Sequence, residues 1–298
     1  MVNDSFRLVG SEYRIHQPQP KKQSLRQRLK GLPLLSMTIF LFIVLGCIFA
    51  GQLANHDPTD FYLQNLNEAP GKEFFFGTDS LGRDIYSMIW YGGRISLTIG
   101  LLGTAIIAVI GILWGCISGT ASERVDFIMM RITEICGSIP SLLFVLILSA
   151  AFQANDILSL SIVIGATGWF GLARIVRSEV RQIRNSEYVL YARCCNGSFL
   201  HVAIQHLIPN FLSPVMFALV SSIGSCITLE SSLSFLGLGL PISSISWGSM
   251  LSLANRALLS NTWWVIVFPG LFLVVTLMCL TNIGSFFRKS ANRKPNNL

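Results

Sequence analysis

The sequence predicts an all-α, polytopic membrane protein with six transmembrane helices, and three observations predict it. Of 298 residues, 52% are hydrophobic and 12% charged, about half the charged share of a soluble domain. Six uncharged runs are long enough to cross about 30 Å of hydrocarbon at a helical rise of about 1.5 Å per residue. The lysines and arginines fall unevenly between those runs, which specifies an orientation.

The runs are Leu34 to Leu53, Ile95 to Gly119, Ile135 to Asn155, Ile157 to Ala173, Phe211 to Leu229 and Trp263 to Gly284. The fourth is the shortest and can recruit its flanks. The first follows a long polar stretch and is itself of spanning length, so it is expected to stay as a helix and not to be removed as a secretory leader. A seventh uncharged run, Ser231 to Asn255, is broken by Gly237, Gly239, Pro241 and a serine cluster. It is expected to form a re-entrant or vestibule segment at the outer end, because a crossing there carries the basic C-terminal tail outside.

With both termini inside, only Lys72, Arg83, Arg94 and Arg256 of the 22 lysines and arginines lie outside. The +7 formal charge is thus the mark of basic residues held on the cytoplasmic side of a bilayer and not of nucleic-acid binding. The chain divides into a basic cytoplasmic tail at 1–33 and a first span with external segment at 34–94. A core at 95–284 includes a long cytoplasmic loop at 174–210, and a second basic cytoplasmic tail follows at 285–298. The 7 cysteines are odd in number and mostly sit in apolar runs, the pattern of free thiols and not of a disulfide framework.

Little chemistry is available to such a chain. No GxxxxGK[ST] phosphate loop exists, so it cannot cradle ATP by itself. Among the 4 histidines, His201 and His206 are five apart, poor spacing for two metal ligands on one helix face, and a loop-surface role is the better reading of all four. No Ser-His-Asp or HExxH arrangement is present. Neither a catalytic residue, a metal site nor a cofactor is expected.

Ionisable groups inside spans usually mark ion pathways. Glu230, at the outer end of the fifth run, is the single example, and two readings stay open for it. It either snorkels or is hydrogen-bonded at the interface, or it gates or lines a path together with Phe235, Gly237 and Gly239. A proton- or ion-coupled carrier normally needs more than one such group, so a stand-alone secondary transporter is the alternative class.

Outside the membrane, FFFGTDSLGRDIYSMIWYGGRISL runs from Phe74 to Leu97. Asp79 can cap a helix starting at Ser80, with Leu81, Ile85, Met88 and Ile89 on one face, and Asp79 and Arg83 are spaced to pair. The segment is expected to be an interfacial helix lying on the outer leaflet, with Trp90 and Tyr91 in the aromatic belt.

Inside, the loop reads EYVLYARCCNGSFLHVAIQHLIPN from Glu187 to Asn210. Tyr188, Tyr191 and Cys195 share one helical face, and Phe199, Val202, Ala203 and Leu207 share another. Asn196-Gly197 supplies the left-handed geometry that ends the first helix, and Ser198 can cap the second. Such a helix, turn and helix presents a stiff knob to another protein.

These residues resemble the permease subunits of type I ATP-binding cassette importers, in the dipeptide, oligopeptide and nickel branch. The family's loop has the form EYVxAARALGAS followed by an LPN-like exit, matched by Glu187, Tyr188, Val189, Ala192, Arg193, Ser198 and Ile208-Pro209-Asn210. Tyr191 stands where the family usually has alanine, and Asn196 where it has glycine. GTDxxGRDxxS with YGxRISL matches at Gly77, Thr78, Asp79, Gly82, Arg83, Asp84, Ser87, Tyr91, Gly92 and Arg94 to Leu97. ERVDxxxMRxxE with SIPSLL, GWxGxARxVRxEV, ExxLSFLGLG with SWGxML, and FPG follow in the same order, so the resemblance covers about Phe74 to Gly270.

The resemblance implies a MetI-like permease core in the bacterial cytoplasmic membrane that does no ATP chemistry itself. It forms half of a pore for short peptides or a nickel or metallophore-type solute. It implies a second homologous permease subunit, a pair of ATP-binding subunits and an extracytoplasmic solute-binding protein. The loop residues Glu187, Tyr188, Tyr191, Ala192, Asn196, Gly197, Ser198 and Pro209 become the coupling element that docks on an ATP-binding subunit. Gly77, Thr78, Asp79, Gly82, Arg83 and Asp84 become an external motif that orders the outer face.

Overall fold

The computed structural model describes residues 33–184, 208–241 and 244–292, and they form eleven helices with no strand named among the described residues. The all-α class is what the chain adopts.

α1 (Leu34–Ile48) begins after Pro33, and α2 (Ala50–Leu53) continues it beyond a break at Phe49. At 15 residues α1 is about 22 Å long, so the run Leu34 to Leu53 is two helices and not one. α3 (Ile85–Thr120) is the spine of the protein, 36 residues without a break. Its cap is Asp84, whose carboxylate accepts from the Ser87 backbone N–H at 2.9 Å. The interfacial helix expected from Ser80 under an Asp79 cap is therefore corrected: the helix begins at Ile85 and runs straight into the second span. Positive φ at Gly77 and Gly82 folds the preceding residues into turns that a helix cannot share.

α4 (Glu123–Gly137) starts with Glu123 and Asp126 in its first turn, where carboxylates suit the helix dipole. It meets α5 (Ser141–Phe152) at 86°, because Pro140 lacks an N–H and disfavours helical backbone at Ile139. The expected span Ile135 to Asn155 thus has its first turn on a separate helix. α4 carries Glu123, Arg124, Asp126, Arg131 and Glu134 and lies across the direction of α5. α6 (Ile157–Gly168) opens with a capping box between Asp156 and Ser159, and α7 (Phe170–Arg184) follows at 47° after a break at Trp169. The run Ile157 to Ala173 is consequently bent.

α8 (Ile208–Phe235) carries on past Leu229 to Phe235. After a turn at Gly237, φ +77, come α9 (Trp247–Leu251) and α10 (Ala254–Leu259), each too short to cross a bilayer. The expected re-entrant segment therefore begins about one helical turn later than Ser231. α11 (Trp264–Asn292) closes the described chain. α3, α8 and α11 are each long and apolar enough to cross alone, and the two bent pairs raise the number to five, while α1 is a shorter apolar helix.

α3 packs along α6 and α7, against α8 and against α1, and α11 packs on α8 and α1. One part of the core surrounds Trp247, fully buried, whose indole N–H donates to the Ile89 carbonyl at 3.0 Å. A second part joins Ile99 and Ile107 of α3 to Leu160 and Ile164 of α6 and to Leu172, Val176 and Val180 of α7. Gly111, Gly115 and Gly119 make this pairing close: a Cβ at Gly115 falls 2.6 Å from the Ala173 carbonyl oxygen and 2.7 Å from the Val176 side chain. Exposed leucines, isoleucines and phenylalanines such as Leu35, Phe42, Leu113 and Ile147 cover the outside, as lipid contact requires.

Candidate functional site

The external motif folds into one knot. Asp79 accepts from the backbone N–H groups of Leu81 and Arg83, each at 2.9 Å, and pairs with the Arg83 guanidinium at 2.8 Å. The expected Asp79 and Arg83 pair is thus present, in a turn and not along a helix. Both are buried, Arg83 to 6% exposure. Thr78 donates to the Asn65 carbonyl and accepts from Glu68 N–H at 2.8 Å, and its own carbonyl accepts from the Trp264 indole at 3.0 Å. Gly82 lies so close to Tyr62 that a Cβ falls 2.3 Å from the Tyr62 carbonyl oxygen. The motif GTDxxGRD therefore builds the hub that ties residues 62–84 to the first turns of α3 and α11.

Glu230 is fully buried. Its carboxylate accepts from Ser246 at 2.7 Å, Ser234 at 3.0 Å, Ser96 at 3.2 Å and Ser231 at 3.3 Å. Ser246 caps α9, and Ser96 also accepts from the Trp247 backbone N–H at 3.2 Å. The carboxylate neither snorkels nor faces a path in this conformation; it is hydrogen-bonded at the junction of α3, α8 and α9. Phe235, Gly237 and Gly239 are placed differently. They line a cavity of about 400 Å³ together with Arg83, Asn155 and Pro241, and Ser234 of the Glu230 cluster is the link between the two places.

A larger groove of about 930 Å³ lies deeper, between the bend residues Ser138 to Ser141, Thr167 and Gly168, and the facing sides of α8 and α11. Along α8 it presents Ser221, Ser225 and Thr228, all exposed. Their spacing of four and three puts them on one face. Among the described residues Arg174 is the single charged one lining it. This polar stripe escaped the sequence reading, although a run of hydroxyls at helical spacing inside a span was visible and is the signal that finds it. The inner polar cluster around Asp126 was also missed, since its partners lie 51 residues away in sequence.

Among the described residues no group of three or more histidine, cysteine or acidic side chains is placed to hold a metal ion. Of the loop residues, Glu187, Tyr188, Tyr191, Ala192, Asn196, Gly197 and Ser198 lie outside the described residues, and Pro209 falls in the first turn of α8.

A family model described as a binding-protein-dependent transport system inner membrane component matches residues 111–295. The chain belongs to that family. Three relatives match most of the chain. An oligopeptide transport system permease protein of Bacillus subtilis is 35% identical over 92% of this chain and 89% of the relative. A dipeptide transport system permease protein of the same organism is 33% identical over 98% of this chain and 94% of the relative. An oligopeptide transport system permease protein of Haemophilus influenzae is 37% identical over 87% of this chain and 83% of the relative. The chain is accordingly a multi-pass inner membrane permease subunit of an ATP-binding cassette importer, and the family decides against the stand-alone carrier. Permeases of this family are components that work with other subunits of a transport system. Their relatives here are permease and not catalytic components.

Proposed function

We propose that this permease forms half of the translocation path for short peptides, with six crossings and both termini in the cytoplasm. A second homologous permease completes the path, a pair of ATP-binding subunits docks below, and an extracytoplasmic binding protein delivers the solute. The loop Glu187 to Pro209 is the coupling element, and ATP is hydrolysed on the partner subunits. The observation that carries the solute class is the match over nearly the whole chain to oligopeptide and dipeptide permeases. The groove agrees with it: Ser221, Ser225 and Thr228 line it, and although Ser225 and Thr228 donate to the Ser221 and Gly224 carbonyls, their oxygens can accept from peptide N–H groups of any sequence.

Reconstitution tests this reading. Proteoliposomes holding both permeases, the ATP-binding subunits and the binding protein should take up radiolabelled tripeptides only with ATP, and this permease alone should neither transport nor hydrolyse ATP. A cysteine at Ala192 should crosslink to an ATP-binding subunit. Uptake of a nickel complex but no peptide overturns the solute class, and crosslinking of Ala192→Cys to extracellular partners alone overturns the topology and the coupling role.

A further inference from the structure

The inner ends of α3, α4 and α7 meet at one carboxylate. Asp126 of α4 is 4% exposed and accepts from Ser118 of α3 at 2.5 Å, from the Arg177 Nε of α7 at 2.6 Å and from a second nitrogen of the same guanidinium. The Arg181 guanidinium adds a third pairing at 2.8 Å. One turn further on, Arg184 donates to the Thr120 carbonyl, the last of α3, at 3.0 Å. Two guanidinium groups are thus held side by side by one negative charge, and without that charge they repel.

α7 is set at 47° to α6 across the break at Trp169, so the two are joined by a bend and not by continuous helix. From the other end of α7 the chain runs on toward residues 185–207. A lever jointed at one end and pushed at the other transmits displacement only if it is tied along its length. Packing of Leu172, Val176 and Val180 on the glycine face of α3 supplies one tie, and Asp126 supplies the other beside the end that is pushed.

We propose that Asp126 is a positioning residue of the transport cycle: it fixes α7 against α3, so that displacement of the cytoplasmic loop moves both helices as one body. The proposal rests on the coupling role given above to that loop. Loss of the charge lets α7 pivot at the Gly168 to Trp169 joint and absorb the movement, leaving hydrolysis and the pore out of step.

The test uses the assembled importer in lipid nanodiscs, with spin labels on cysteines at Thr120 and Ser178, both exposed, and ATP hydrolysis measured with the binding protein and a mixed tripeptide library. In the parent complex the label distance should be the same without nucleotide and after vanadate trapping. Asp126→Asn should widen the distribution, make it differ between the two states, and lower the stimulation of hydrolysis about fivefold or more. Asp126→Glu, which keeps the charge, should recover most of the stimulation. Parent-like stimulation in Asp126→Asn, or a distance that stays fixed in both states, overturns the proposal. If Asp126→Asn does not assemble, Arg177→Gln, which removes the two-nitrogen contact to Asp126, carries the same readouts, and parent-like behaviour there overturns it equally. Absence of stimulation in the parent complex counts against the permease reading itself and is seen before any variant is made.

Discussion

Glu230 and Ser246 stand sixteen residues apart in sequence and 2.7 Å apart in space, both fully buried. The same serine caps α9 by accepting from Ser249 N–H, so one hydroxyl joins the long helix α8 to the short helix that carries Trp247. Glu230→Ala removes the acceptor of four serines and leaves a void. It should lower stability by about 3 kcal/mol, as the sum of lost packing and unpaired hydroxyls. Glu230→Gln keeps the volume and one acceptor and should cost about half as much, while altering peptide uptake if the segment from Leu236 to Leu251 moves during transport. Thermal unfolding followed by tryptophan fluorescence checks the first statement, and a parent-like midpoint in Glu230→Ala shows that the serine contacts of Glu230 do not hold the junction of α3, α8 and α9 together.

Arg83 and Asp79 support a similar expectation at the outer surface. The pair is nearly free of solvent, and removing one partner leaves a buried charge unpaired, which costs about 3 to 5 kcal/mol. Arg83→Ala should therefore unfold the external segment locally and leave the helical bundle in the membrane. Trypsin added from outside should then cut at Lys72, with weaker docking of the binding protein as the consequence. Resistance at Lys72 equal to that of the parent shows that the ion pair is not what holds the knot.

Much of the architecture was legible because the signals were long. Apolar runs with charged flanks place α3, α8 and α11, whereas the GTD and GRD residues, expected on a helix, fold into turns. The start of α3 was missed because Asp79 and Asp84 are both plausible caps, and only the positive φ angles of Gly77 and Gly82 decide between them. The two bends were missed for a related reason. Hydropathy averages over Pro140 and Gly168, whereas backbone geometry does not. Glu230 was found by its charge, but its burial depended on serines supplied by three segments, and Asp126 was hidden because nothing local distinguishes it from a first-turn carboxylate.

The α3 and α7 contact makes a steric prediction. Gly115 has no room for a side chain, since its neighbours include a backbone oxygen that cannot move aside. Gly115→Val should separate the helices and cost about 2 to 4 kcal/mol. Gly171, on the opposite side of α7, has no atom within 4 Å of a built Cβ, and Gly171→Ala should be neutral or stabilising by up to about 1 kcal/mol, because alanine loses less backbone freedom in a helix. Membrane yield and melting midpoint read both variants, and equal behaviour of the two substitutions contradicts the packing argument.

The Asp126 cluster makes a prediction in pH. The Arg177 hydrogen bonds, aided by Ser118 and by the charges of Arg177 and Arg181, outweigh burial and hold the Asp126 carboxyl down to about 2, from an ordinary value of 3.8. A carboxylate whose folded value lies below its unfolded one stabilises the fold in full above the unfolded value, and that contribution is lost as pH falls through the folded value. The parent should therefore be more stable than Asp126→Asn by a constant margin from neutral pH down to about 4, and the margin should shrink between about pH 4 and pH 2. Melting midpoints of the two proteins in the same detergent, measured across that range, test it. A margin that closes already between pH 7 and pH 5 points to a different titrating group, and no margin at neutral pH means that the two arginines do not depend on Asp126 to stay together.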